Sequence, residues 1–148
     1  MSVEIRRILH PTDFSPTGQR VLDYAVMLTR QFNCELHVLN VVPDPLPIPG
    51  PDGSWVLSDD SVPRLIRNAE VELATRLESS LVGGLKVIRT VRVGHPVTSI
   101  IDYSIVHRID LIVMGTHGHS GISHFLLGSV AEKVVRLATC PVITMHTA

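Results

Sequence analysis

The apolar run Leu111-Ile112-Val113-Met114 passes straight into Gly115-Thr116-His117-Gly118-His119-Ser120-Gly121, and Gly128-Ser129 follows. Four of the chain's ten glycines stand in the fourteen positions from Gly115 to Gly128. Glycine directly after a buried strand lets the backbone approach a ligand and permits positive φ. Gly128-Ser129 then opens a helix, so free N–H groups and the positive end of its dipole face the same space. The chemistry this arrangement offers is anion binding, with phosphate the natural guest. A plainer reading treats Ser129-Val130-Ala131-Glu132 as a capping box that serves only its own helix. That accounts for Ser129 but leaves the upstream glycines unexplained. Neither GK[ST] nor GxGxxG occurs, so P-loop phosphoryl transfer and dinucleotide hydride chemistry lack their usual signatures.

Three of the eight histidines fall between His117 and His124. His117 and His119 have a spacing that suits a transition metal, yet the loop holds no cysteine or acid to complete a ligand set. The alternative is a donor to phosphate from His117 or His119, which would make affinity depend on pH. His10, His37, His95, His107 and His146 read as structural or surface residues. Asp13, in Pro11-Thr12-Asp13-Phe14-Ser15, either caps a turn or meets a ligand. A carboxylate beside phosphates must accept from a hydroxyl or share a divalent cation, so ribose or Mg²⁺ is its expected partner. No lysine or arginine lies between Arg108 and Lys133, so the loop lacks the cationic clamp of rapid phosphoryl transfer.

These residues need elements to position them. Ile5 to His10 reads as a strand ended by Pro11, and Ser15-Pro16 as the start of a helix running to about Asn33. Leu36 to Val42 is a buried strand. A helix from about Pro63 to Leu81 is stopped by Gly83-Gly84. Leu85 to Val93 is a strand, followed by a helix from Pro96 to about His107. Asp110 to Met114 is a strand, Ser129 to about Ala138 a helix, and Val142 to Met145 the last strand. Strands that are apolar on both faces and alternate with helices imply an α/β domain, a parallel sheet covered on both sides. Ligands in such sheets bind beyond the carboxyl ends of strands, where the strand order reverses. The loops of interest are therefore Pro11–Ser15, Val41 onward and Gly115–Gly128.

With 148 residues the chain suits one domain. A hydrophobic content of 45% excludes disorder. The balance of 13 basic to 14 acidic residues argues against a sequence-independent grip on nucleic acid, and 4% aromatics against base stacking. No stretch reads as a signal peptide or membrane span, and Cys34 and Cys140 form no CxxC, so a cytoplasmic protein is expected. A phosphorelay receiver would need an acid where Arg92-Val93-Gly94 ends the third strand. An FMN site would need aromatic side chains that the loops do not supply. Five of the ten prolines lie between Pro43 and Pro51, opening a long connection of about residues 43–61 that also holds the single tryptophan, Trp55. It reads as a lid, a partner-docking surface or a disordered insertion.

The spacing Gly115-x2-Gly118-x9-Gly128-Ser129 resembles the nucleotide-binding pattern of the universal stress protein (UspA-like) family. So do Ile8-Leu9-His10-Pro11-Thr12-Asp13-Phe14-Ser15, Leu126-Leu127-Gly128-Ser129-Val130-Ala131-Glu132 and Thr139-Cys140-Pro141-Val142. The resemblance covers essentially the whole chain. It implies one doubly wound, five-stranded parallel domain of strand order 3-2-1-4-5. It also implies a site for ATP, ADP or AMP, with Mg²⁺ held through Asp13. Pro11, Thr12 and Asp13 would stand near ribose and phosphates, and the Val41 backbone would meet the adenine edge. Met114, Gly115, His117, Gly118 and His119 would pass ribose and α-phosphate, while Gly128, Ser129 and Val130 would cradle phosphates. The resemblance implies a regulatory stress-response module, with slow Mg²⁺-dependent ATP hydrolysis as the alternative. It further implies a homodimer paired through Val142, Ile143, Thr144 and Met145, an apolar edge that would otherwise stay sticky.

Overall fold

In a computed structural model that describes residues 2–56, 61–116 and 127–146, the five apolar segments pair into one parallel sheet. Its strands are β1 (Arg7–Thr12), β2 (Glu35–Val42), β5 (Val87–Val93), β6 (Leu111–Gly115) and β7 (Val142–Met145). A two-stranded antiparallel pair, β3 (Ile48–Pro49) and β4 (Trp55–Val56), sits within the proline-rich connection. The helices are α1 (Gly18–Phe32), α2 (Ser61–Arg76), α3 (Ser79–Val82), α4 (Pro96–Val106) and α5 (Ser129–Leu137). The sheet runs β5-β2-β1-β6-β7. Counted among themselves these five strands follow the expected order 3-2-1-4-5.

Period-2 alternation sorts the core into two layers. Ile8, Leu36, Val38, Leu111 and Val113 face one way, onto Val21, Leu22 and Ala25 of α1 and Leu73 of α2. Leu9, Leu39, Ile112 and Met114 face the other way, onto Ile100 and Tyr103 of α4 and Ala131 and Val134 of α5. Ile8, Leu9 and Ile112 are fully buried, and each such side chain stabilises the fold by about 1.5–3 kcal/mol. The central strands must be apolar on both sides because helices cover both.

Several boundaries differ from expectation, three of them with a visible cause. β1 does not stop at Pro11 but continues to Thr12. Beyond Leu9 it pairs with β2 alone, so the missing N–H of proline disturbs no second ladder. α1 begins at Gly18, not at Ser15-Pro16, because the chain first closes a turn in which the Gly18 N–H donates to the Ser15 carbonyl at 3.0 Å. The helix expected to reach Leu81 ends at Arg76 and restarts at Ser79 after an extended Glu78. That turn keeps both Leu77 and Val82 buried against the same core layer.

Candidate functional site

Beyond Leu9 the sheet forks. Its order reverses at β1, so β1 and β6 carry their following chains to opposite faces, and a crevice opens between their carboxyl ends. A cleft of about 760 Å³ fills this fork. Pro11, Thr12 and Asp13 line it from β1, Val41 from β2, Met114 and Gly115 from β6, and Gly128, Ser129 and Val130 from the start of α5. Every expected site residue that falls within the described residues thus stands on one cavity. His117, Gly118 and His119 lie outside the described residues, as do Ser120, Gly121 and His124.

The floor is apolar, built from Leu39, Ile100 and Ala131 among others, and α2 closes one wall with Leu65, Asn68, Ala69 and Glu72. An apolar floor under a polar rim suits a ligand with a flat apolar part and a charged part. α5 turns its amino-terminal end to the cleft. Gly128 is its N-cap, with φ −58° and ψ 153°, and brings no side chain to cap the first turn. The capping-box reading fails here: Ser129 lies inside the helix, and the Glu132 carboxylate accepts from Arg136 at 2.9 Å instead. Ser129, Val130 and Ala131, the first-turn residues at the positive end of the dipole, line the cleft.

Both shoulders of the Gly115–Gly128 loop meet at Thr116. Its carbonyl accepts the Gly128 N–H at 2.6 Å, and its N–H donates to the Met145 carbonyl of β7 at 2.9 Å. Thr116 Oγ1 and His146 Nδ1 are 3.3 Å apart. The β1 shoulder is wound by its own side chains. Thr12 Oγ1 accepts the Phe14 N–H at 3.1 Å and Asp13 Oδ1 accepts the Ser15 N–H at 3.0 Å, so Asp13 does make the turn considered for it. It also remains exposed on the rim.

Sequence reasoning assigned His10 to structure, and it overlooked Asn40; both border the cleft. The Asn40 side chain donates to the Thr12 carbonyl at 2.9 Å and holds β1 against β2 at the rim. His10 Nδ1–H donates to the Val113 carbonyl of β6 at 3.0 Å, spanning the fork just where the backbone ladder ends. A carbonyl only accepts, so Nδ1 carries the proton and Nε2 is the bare acceptor; Nε2 has no hydrogen-bond partner among the described residues. Burial pushes the imidazole down to about 4, against smaller opposing effects of the Val113 bond and the Asp13 charge. His10 is therefore neutral at pH 7. The signal available in the sequence was its place, one residue before the Pro11-Thr12-Asp13 loop.

The described lining residues that carry charge are acidic, Asp13 and Glu72. A phosphate held here must draw on N–H groups, hydroxyls or a cation. No group of three or more histidine, cysteine, aspartate or glutamate side chains suited to a metal occurs among the described residues. Of described residues 43–56, Pro43 borders the cleft, while Leu46 and Trp55 are exposed. None of the described helices is long and apolar enough to cross a membrane.

Comparison with known proteins gives a consistent result. The universal stress protein family model matches residues 4–146. Universal stress protein MJ0531 of Methanocaldococcus jannaschii is 32% identical over 142 residues, covering 95% of this chain and 81% of the relative. The solved structure of MJ0577, from the same organism, superposes with a TM-score of 0.79 at 25% identity and covers 99% of both chains. A universal stress protein solved in complex with cAMP has the same fold, with a TM-score of 0.71 at 22% identity over 99% of this chain and 100% of the other.

Proposed function

The chain belongs to the universal stress protein family, and from that premise we propose that it binds an adenine nucleotide, ATP or its ADP or AMP counterpart, in the fork between β1 and β6. One observation carries the reading: the rim loop of Asp13, the β2 end at Val41 and the uncapped start of α5 converge on a single cleft of nucleotide size. The base would lie on the apolar floor near Val41, and the phosphates would point to the first turn of α5. Asp13 would hold the ribose or a Mg²⁺ ion shared with the phosphates, which also answers the acidic lining. His117, Gly118 and His119 would complete the phosphate loop. A relative of this fold solved with cAMP supports adenine as the base.

The reading is of a regulatory, cytoplasmic binding module. A second reading, slow Mg²⁺-dependent hydrolysis, rests on the carboxylate of Asp13 at the rim. The module would act as a homodimer paired along β7, whose outer side is the free edge of the sheet. Sedimentation at micromolar concentration should give twice 16.2 kDa, and a monomer would remove the dimer. Mass spectrometry of nucleotide released on denaturing the purified protein should find ATP, ADP or AMP. No released nucleotide together with no calorimetric ATP binding would sink the reading. Turnover with and without Mg²⁺ separates the module from the slow enzyme.

A further inference from the structure

We propose that Arg76, outside the cleft at the end of α2, is a positioning residue for the nucleotide. It grips the strained backbone at Phe14 and so fixes where Thr12 and Asp13 stand on the rim. The proposal rests on the adenine-nucleotide reading and deepens it.

Phe14 has φ 62°, a left-handed conformation that a bulky aromatic residue avoids unless its surroundings impose it. The Thr12 and Asp13 turn bonds shape the loop from within, but both are local and reach only two residues along the chain. Arg76 reaches in from another element, 62 residues away: its Nη2–H donates to the Phe14 carbonyl at 2.8 Å, and Nη1–H to the Ser15 carbonyl at the longer 3.5 Å. The guanidinium also lies over the Phe14 ring, 5.4 Å from its centre.

The guanidinium is itself aimed. Its Nε–H donates to Glu72 Oε1 at 2.7 Å, one turn back on α2, which leaves the fork turned toward the loop. Glu72 and Phe14 both line the cleft. The pair thus ties the α2 wall to the rim loop opposite, setting the separation between the two. Lysine has the charge but not the planar fork, so it cannot serve Glu72 and the Phe14 carbonyl in this geometry.

The test is a double-mutant cycle on the full chain, read as Mg-ATP affinity by calorimetry, with thermal unfolding to confirm folding. Arg76→Met keeps the stem and removes the donors. It should weaken binding about tenfold, and Arg76→Lys should lose most of the same affinity. Phe14→Gly accepts positive φ without strain, so in that background Arg76→Met should cost less than about threefold. Unchanged affinity in Arg76→Lys and Arg76→Met, or an equal loss in both backgrounds, would overturn the proposal. If Arg76→Met does not unfold cooperatively, Arg76→Lys carries the same cycle. Failure of the wild-type chain to bind Mg-ATP at all would overturn the nucleotide reading, and this proposal with it.

Discussion

The two flanks of β1 are built differently. Toward β2 the ladder runs over six residue pairs, from Arg7 opposite Glu35 to Thr12 opposite Asn40, and the Asn40 side chain adds a bond at its end. Toward β6 it holds two pairs, at Ile8 and Leu9, and then stops. Each flank buries a histidine. On the closed side His37 meets the Tyr103 hydroxyl at 2.8 Å and sits among Tyr103, His107 and Glu35, inside a filled layer. On the open side His10 bridges to Val113 and then faces the cleft. The difference teaches that the site is a missing stretch of ladder. Where backbone pairing ends, side chains and loops must satisfy the freed groups, and a ligand can reach them.

That contrast can be broken experimentally. The largest effect belongs where both ladders still run: Leu9→Ala should lose about 2–5 kcal/mol in urea unfolding. A loss below about 1 kcal/mol would mean that the twice-paired segment is not the anchor of β1.

Next is the acid response of the open flank. His10 titrates near 4 in the folded chain against an ordinary 6.5, so the unfolded chain takes up its proton first. The stability it contributes is complete above about pH 6.5 and is lost as pH falls toward 4, by up to about 3 kcal/mol. Burial lowers His37 as well, in the same sense. His10→Asn, which keeps a donor for Val113, should flatten this slope in unfolding measured from pH 7 to 4. An unchanged slope would assign the acid response to the closed flank.

Gly128→Val tests the open flank for binding. Its φ of −58° suits any residue, so α5 should persist while the bulk at its start blocks the phosphates. ATP affinity should fall at least about tenfold, or about 1.4 kcal/mol, with little change in melting temperature. Equal affinity would remove α5 from the site. The smallest effect is at the amino end of the closed flank, where Lys86 pairs with Glu35 at 2.5 Å on the surface. Lys86→Ala should change stability by less than about 1 kcal/mol in the same urea experiment.

Much of this was legible in the chain. Leu36 to Val42 and Leu111 to Met114 announced buried strands because runs apolar on both faces have no other stable place. Gly115 and Gly128-Ser129 marked positions that do line the cleft. The role of His10 was not legible, since its partner Val113 is 103 residues away and only the fork brings the two together. Nor was the grip of Arg76 on Phe14. A basic residue in the last turn of a helix reads as complementing the dipole of that helix, and nothing local indicates a loop 62 residues earlier. Neither expected serine cap forms: a local turn moves the cap of α1 from Ser15 to Thr17, whereas α5 starts at Ser129 as expected but takes Gly128 as its N-cap.

The sequence alone determined the α/β class, the order of elements and which loop ends line the cleft. Each of these follows from periodicity and residue type within about twenty neighbouring positions. The tertiary structure alone decided that the β1–β6 ladder stops after Leu9, that His10 spans the gap and that α2 braces the rim. Those features depend on contacts between distant segments, and such contacts exist only once the strand order has reversed at β1 and opened the fork.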